Sequence, residues 1–294
     1  MTIYTRQWYT KCVIIKKALR LKMKMALPKP KRRSSLRLWL GKNVYTCLRY
    51  FLWLMGGISF ARQTKKPLEH IIFTHATPLI RPLKDVDMYL QHNKIVNLRI
   101  AAKKLDGVTL APGEVFSFWK TVGKPTRRKG YLEGMVLLNG SFYPGIGGGL
   151  CQMSNLIYWL TLHTPLTVLE RHRHDYDVFP DVERTQPFGS GATCFYNYGD
   201  LMIRNDTPRT YRLQIEVSGQ ELTGLWQSDL PPGFTYQVYE KEHMIRQEYW
   251  GGYSRHNVLF RKKYDMMGDV VDDEYVVENH ALMMYPPFLP ESSA

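Results

Sequence analysis

The stretch Pro144-Gly145-Ile146-Gly147-Gly148-Gly149-Leu150-Cys151-Gln152-Met153-Ser154-Asn155, continuing as an apolar run to His163, decides the fold of this chain. The run has the length and burial pattern of a helix, and Pro165 stops it. Before the glycines, Met135–Leu138 and Ser141–Tyr143 flank Asn139-Gly140, a pair that tolerates the positive φ angles of a type I′ turn and so predicts a β-hairpin. After the proline, Thr167–Leu169 is β-branched enough to open a strand. The segment therefore reads as hairpin, glycine loop, buried helix and returning strand.

Lengths give this order a consequence. A helix from Cys151 to His163 covers about 18 Å at ~1.5 Å per residue. A strand from Leu166 to His172 covers about 20 Å at ~3.3 Å per residue, so an antiparallel return brings His172 and His174 level with the helix start. Period-2 alternation places Glu170, His172 and His174 on one strand face. A thiol at a helix N-terminus feels the positive end of the helix dipole, which favours thiolate. Cys151 is thus a candidate nucleophile, His172 or His174 a candidate base, and Glu170 or Asp200 a candidate orienting group. The backbone of Gly149 and Gln152 would supply oxyanion donors, with Gly147, Gly148, Ser154, Asn155 and Trp119 as further substrate contacts.

Each feature also has a structural explanation. A cysteine opening a buried helix is ordinarily a small hydrophobe. Three consecutive glycines carry an entropic cost that either tight helix–hairpin packing or close ligand approach would justify. No Lys-Ser/Thr pair follows them, which argues against a phosphate loop. Cys151, His172, His174 and Cys194 could supply four zinc ligands, but their spacing matches no zinc signature, so no metal or other cofactor is assigned.

The rest of the chain frames this segment. With 294 residues, 44% hydrophobic and 22% charged, it is long and apolar enough for a real core, which excludes a wholly disordered protein. Four cysteines are too few for a disulfide scaffold. Of the 40 Lys and Arg, 17 fall in residues 1–66, which carry no Asp or Glu; the other 23 face 26 acids. The formal charge of +14 is therefore an N-terminal property. Trp39, Tyr45, Tyr50, Phe51, Trp53 and Phe60 interleave with Leu and Ile in that block, which suits an anionic membrane surface better than nucleic acid. The apolar run Tyr50–Ala61 is 12 residues long, short of the ~20 that span a bilayer. A 49-residue lead before it is abnormal for a signal peptide. The expectation is a membrane-associated chain on either side of the membrane, with a cytoplasmic location as the alternative.

Three regions follow: a basic, aromatic-rich segment at 1–66, a core domain at 67–230 and a β-rich extension at 231–294. In the core, Ile95, Leu98, Ala102 and Leu105 repeat at helical spacing before Gly107. Short strands are expected at Val108–Leu110, Val115–Trp119, Asp200–Arg204, Tyr211–Val217 and Glu221–Gln227. The predicted class is α+β, a mostly antiparallel sheet packed on a central helix that begins at the Gly-rich loop and Cys151.

Several motifs in this order resemble the VanW family, named for an accessory product of B-type vancomycin resistance clusters. They are Gly147 to Asn155, Leu162-His163-Thr164-Pro165-Leu166-Thr167, Glu170-Arg171-His172-x-His174, Asn97-Leu98 with Ala101-Ala102, Leu110 to Trp119, and Asp200-Leu201 with Arg204-Asn205-Asp206-Thr207. The resemblance covers roughly residues 90–230. It implies a place in the bacterial cell envelope and supplies no reaction. Where the family pattern has Asp-Ala-Thr-Val, this chain has Gly191-Ala192-Thr193-Cys194. An orienting role for that Asp would fall here to Glu170 or Asp200.

Two functional expectations follow. One is a Cys/His hydrolase or acyltransferase acting on amide or ester bonds of peptidoglycan-related material. The other is a non-catalytic envelope module that binds glycan or peptide, with Trp119, Tyr131 and Tyr143 as stacking surfaces, or serves as a scaffold.

Overall fold

The computed structural model describes residues 34–80, 87–138, 140–178 and 186–287. Residues 1–33 of the basic segment and Asn139 of the expected turn lie outside the described residues.

Ser34 caps a first helix, α1 (Ser35–Met55), by accepting the Arg37 N–H on its hydroxyl. Two strands follow, β1 (Arg62–Gln63) and β2 (His70–Pro78), and then α2 (Met88–Leu105). The buried face of α2 carries Leu98, Ala102 and Leu105 of the stripe read from the sequence, with Ala101 beside them, while Ile95 of that stripe is only partly buried. Gly107 follows at φ +83°, the left-handed position after a helix end that glycine fills without strain.

Short strands β3 (Val108–Leu110) and β4 (Val115–Ser117) come next. The strand expected to run to Trp119 stops at Ser117. There the Ser117 hydroxyl accepts the Lys120 N–H and starts a five-residue helix, α3 (Phe118–Val122). The hairpin forms as β5 (Glu133–Leu138) and β6 (Ser141–Ile146), with Leu138 opposite Ser141, and Gly140 adopts φ +78° in its turn. It leads into α4 (Cys151–Leu162), which ends at His163.

Beyond α4 the chain forms β7 (Thr167–Glu170), β8 (Tyr176–Asp177), β9 (Met202–Arg204), β10 (Tyr211–Ser218) and β11 (Glu221–Ser228). Three long strands follow: β12 (Thr235–Gln247), β13 (Tyr253–Tyr264) and β14 (Val270–Met283).

The main sheet has the order β1-β3-β10-β11-β2, all neighbours antiparallel. Two helices pack on it rather than one: α2 against β10, and α4 against β11 and β2. Gly224 on β11 permits the close approach, because a Cβ there would lie 2.8 Å from Leu160 Cδ1 and 3.1 Å from Leu156 Cδ2. Trp226, fully buried, donates its indole N–H to Thr161 Oγ1 of α4 at 3.2 Å. The fold is α+β with mostly antiparallel sheets.

A second sheet, β12-β13-β14-β8, is held against α4 by Arg261. Its guanidinium donates to Leu162 O at 3.0 Å and Thr164 O at 2.8 Å, a cation on the negative end of the helix. A third sheet, β4-β9-β7, is small. A register shift between Val168 and Glu170 places Glu170 opposite Met202. That register builds the polar cluster described next.

Candidate functional site

The glycine run has a conformational task at every position. Gly147 and Gly149 adopt φ +77° and +89°, the region that disfavours side chains. A Cβ on Gly148 would lie 2.1 Å from the carbonyl carbon of Gly134 on the hairpin. Asn97, buried on α2, ties the parts together. Its amide donates to Leu132 O at 3.0 Å and Gly148 O at 2.9 Å, while its Oδ1 accepts the Leu132 N–H at 2.8 Å. Of the two explanations open for the glycines, tight helix–hairpin packing accounts for this geometry.

Cys151 opens α4 as expected. Its Sγ faces Cys194 O at 3.9 Å, and burial pushes the thiol above its ordinary value, a shift that backbone hydrogen bonding only partly offsets. Burial therefore works against the thiolate here. The neighbouring groups are engaged as well. The Gln152 N–H donates to Gly149 O at 3.1 Å and its side chain to Thr77 and Pro78 O. That N–H is thus occupied and does not form the expected oxyanion donor. Ser154 Oγ donates to Ala192 O at 2.7 Å, and Asn155 Oδ1 accepts the Ala192 N–H at 2.8 Å.

Gly191, where the chain departs from the family pattern, packs against the same Asn155 side chain. A Cβ there would lie 2.6 Å from Asn155 Oδ1, so an Asp at that position would require the amide to move.

The polar cluster centres on Glu170. Its Oε1 accepts from Arg49 Nη2 at 2.6 Å and from the Asp200 backbone N–H at 2.9 Å, and it lies 2.8 Å from His172 Nε2. Burial alone would raise this carboxyl, but the hydrogen bonds from His172 and Arg49 outweigh it and hold Glu170 below the ordinary carboxylate range. Arg49, from α1, also donates to Tyr198 O at 3.2 Å.

Asp200 behaves in the opposite way. It is fully buried, and burial pushes its carboxyl up to about 7 although Ser117 Oγ at 2.5 Å and the Trp119 N–H at 2.9 Å both donate to it. Arg49 and Ser117 were not singled out as site residues by the sequence reading. The available signal for Arg49 was a cation inside an apolar, aromatic helix, which requires a partner if that face is buried.

The predicted residues therefore divide into groups. Glu170, His172 and Asp200 share one hydrogen-bonded network, while Cys151 lies beside Cys194 and Ser154. β7 ends at Glu170, and beyond it only a single bridge joins His172 to Thr193. The regular alternation that was to aim both imidazoles at the helix start therefore stops. His174 packs edge-on against Phe195, and burial lowers it to about 4, with Arg173 adding to the effect. Among the described hydrogen bonds, neither ring reaches the Cys151 sulfur.

Trp119 and Tyr131 are 4% and 1% exposed, so they are core residues and not the stacking surfaces expected; Trp119 donates its indole N–H to Gly199 O. Tyr143 remains 51% exposed. Cys194 is buried, and among the described residues no group of three or more His, Cys, Asp or Glu side chains has metal-holding geometry.

α1 presents most of its surface outward. Leu36, Trp39, Leu40, Val44, Phe51 and Leu54 are all exposed, whereas Arg49 is buried. Among the described residues, no helix is long and apolar enough to cross a membrane.

Comparison with known proteins places these features. The chain is 33% identical over 228 residues to the vancomycin B-type resistance protein VanW of Enterococcus faecalis, covering 78% of this chain and 82% of that protein. It is 30% identical over 135 residues to the protein YoaR of Bacillus subtilis, covering 46% of this chain and 43% of that one. No solved structure matches. The family model described as VanW like protein matches residues 93–226, the span that holds most of α2, the hairpin, the glycine loop, α4 and Glu170, His172 and Asp200, while Arg49 lies outside it. On this evidence the chain belongs to the VanW family.

Proposed function

We propose that this chain is a cell-envelope module accessory to glycopeptide resistance, and that it works by binding or scaffolding at peptidoglycan-related material rather than by cysteine catalysis. The family relationship supports the setting. The observation that carries the rest is the placement of the Cys151 thiol, which faces Cys194 O with its value raised by burial. A nucleophile needs a lowered value and a base, and one of the two base candidates, His172, is instead committed to Glu170. The Glu170 network reads as a static brace that fixes α1 to the core. The outward apolar surface of α1, together with the 17 cations of residues 1–66, supports peripheral adsorption to anionic lipid.

The test uses purified peptidoglycan sacculi. Full-length wild type and Cys151→Ser should be retained equally, with no soluble fragments released. Fragments released by wild type but not by the variant would overturn this reading in favour of a Cys/His hydrolase. Failure of both proteins to be retained would overturn the binding role.

One observation keeps the catalytic reading specific. Cys151 retains partial exposure at the head of α4, so a substrate that expelled the Cys194 carbonyl contact would meet a sulfur at a helix N-terminus. The same fragment-release assay decides it.

A further inference from the structure

A cleft of about 340 Å³ opens beside the end of β1 and is lined by Arg62 of β1, Lys104 of α2, Lys120 of α3, Phe60, Val108 and Ser117, with further neutral residues. Its lining includes three cations and no acid. These cations come from three separate elements, so their convergence is a product of the tertiary fold. Among the described residues none of the three forms an ion pair. Gathering like charges around a concave, partly apolar wall is unfavourable unless an anion occupies it, and the same arrangement concentrates anions there.

The two lysines are also held in place without being neutralised. Lys104 gives one ammonium proton to Val122 O at 2.8 Å, and its other two are not taken up by described partners. Its half-buried position and the nearby Lys129 hold it below the usual lysine value. Lys120 sits over the Phe60 ring at 4.6 Å and near the Trp53 ring at 5.8 Å, contacts that orient an ammonium but leave its charge unpaired. Val108 and Val115 form a buried apolar floor. Asp200 lies behind Ser117, fully buried, and does not line the cleft.

We propose that this cleft binds a phosphoryl anion between Arg62, Lys104 and Lys120, supplied either as a free phosphate or pyrophosphate or as the phosphate of a lipid headgroup. Three donors from three directions suit the several oxygens and multiple charge of a phosphoryl group better than a carboxylate. The proposal rests on the cleft alone and does not require adsorption through α1. The lipid source is included because Phe60 follows α1 by only a few residues.

The test titrates the full-length chain with inorganic pyrophosphate by calorimetry, and with phosphatidylglycerol or phosphatidylcholine vesicles by co-sedimentation. The double variant Arg62→Gln/Lys120→Gln is compared with Arg99→Gln/Arg128→Gln, which removes equal charge from exposed positions that do not line the cleft. Loss of pyrophosphate affinity by about tenfold or more in the first variant only establishes a free-anion site. A loss restricted to phosphatidylglycerol vesicles, again in the first variant only, assigns the lipid headgroup. Wild type that binds neither probe overturns the proposal, as do cleft and control variants that behave alike or acetate that binds as tightly as pyrophosphate.

Discussion

Arg49 and Glu170, 121 residues apart in sequence, meet at 2.6 Å, with the guanidinium side chain 8% and the carboxylate 23% exposed. This contact ties an apolar, outward-facing helix to the span matched by the family model. Arg49 is the buried residue of α1, and its charge is matched by the carboxylate that also orients His172 and caps the Asp200 N–H.

Arg49→Met should cost about 2 kcal/mol or more in urea unfolding, because it leaves a largely buried carboxylate without its cation. The figure falls below the range for fully buried pairs, since Glu170 is partly solvated and keeps two other partners. A double-mutant cycle with Glu170→Gln should show coupling, and limited proteolysis should cut α1 first. Additive effects would mean the pair contributes nothing specific.

Asp200 predicts an inverted pH dependence. Its carboxyl is protonated in both states well below pH 4. Between about 4 and 7 the unfolded chain releases that proton while the fold, with its value near 7, retains it, so this residue lowers stability as pH rises. Asp200→Asn keeps the acceptor for the Trp119 N–H and removes the titration. The stability of Asp200→Asn minus that of wild type should therefore grow with pH by about 3–4 kcal/mol across this window. His163 and His174, both lowered to about 4 by burial, lose stability as pH falls from about 6.5, but they are common to both proteins and cancel in the difference. A flat difference curve would contradict the burial effect at Asp200.

Glycine substitution gives opposite outcomes at two positions, one in the glycine loop and one in α1. Gly148→Ala should destabilise by about 2–3 kcal/mol, because the new methyl meets hairpin backbone that must shift. Gly41→Ala, in α1 with nothing within 4 Å, should stabilise by about 0.5–1 kcal/mol. Thermal melts of the two variants against wild type check both signs.

Thiol reactivity separates the cysteines. Of the three described cysteines, exposed Cys47 should alkylate first with iodoacetamide. Cys151 should react slowly at neutral pH, and its rate should rise only at higher pH than that of a free thiol, because burial holds its proton. Rapid labelling of Cys151 at pH 7, mapped by peptide mass, would restore the nucleophile.

Adsorption through α1 should be salt-sensitive. Full-length protein should co-sediment with phosphatidylglycerol vesicles, weaken as salt is raised and bind neutral vesicles poorly. Leu36→Glu with Trp39→Glu should reduce binding without loss of fold, since both side chains are exposed. Equal binding to neutral vesicles would contradict the electrostatic part.

The sequence by itself determined the elements around Cys151. The Asn139-Gly140 turn signal, the glycine run, the apolar stretch to His163 and the Pro165 stop are local features, and hairpin, loop and helix appear where they predict. The same is true of α2, whose apolar period matches its buried stripe. Local pattern did not reveal where the side chains of the candidate site point. β7 shifts register before Glu170 and ends there, so the alternation that was to aim both imidazoles at the thiol stops, and that shift is set by pairing with β9, some thirty residues further on. Arg49 read as one more membrane-facing cation until the fold set it against Glu170, because the pairing of charges distant in sequence is fixed by packing and leaves no local periodicity. The same reason hides the meeting of Arg62, Lys104 and Lys120, which only the folded chain brings to one cleft.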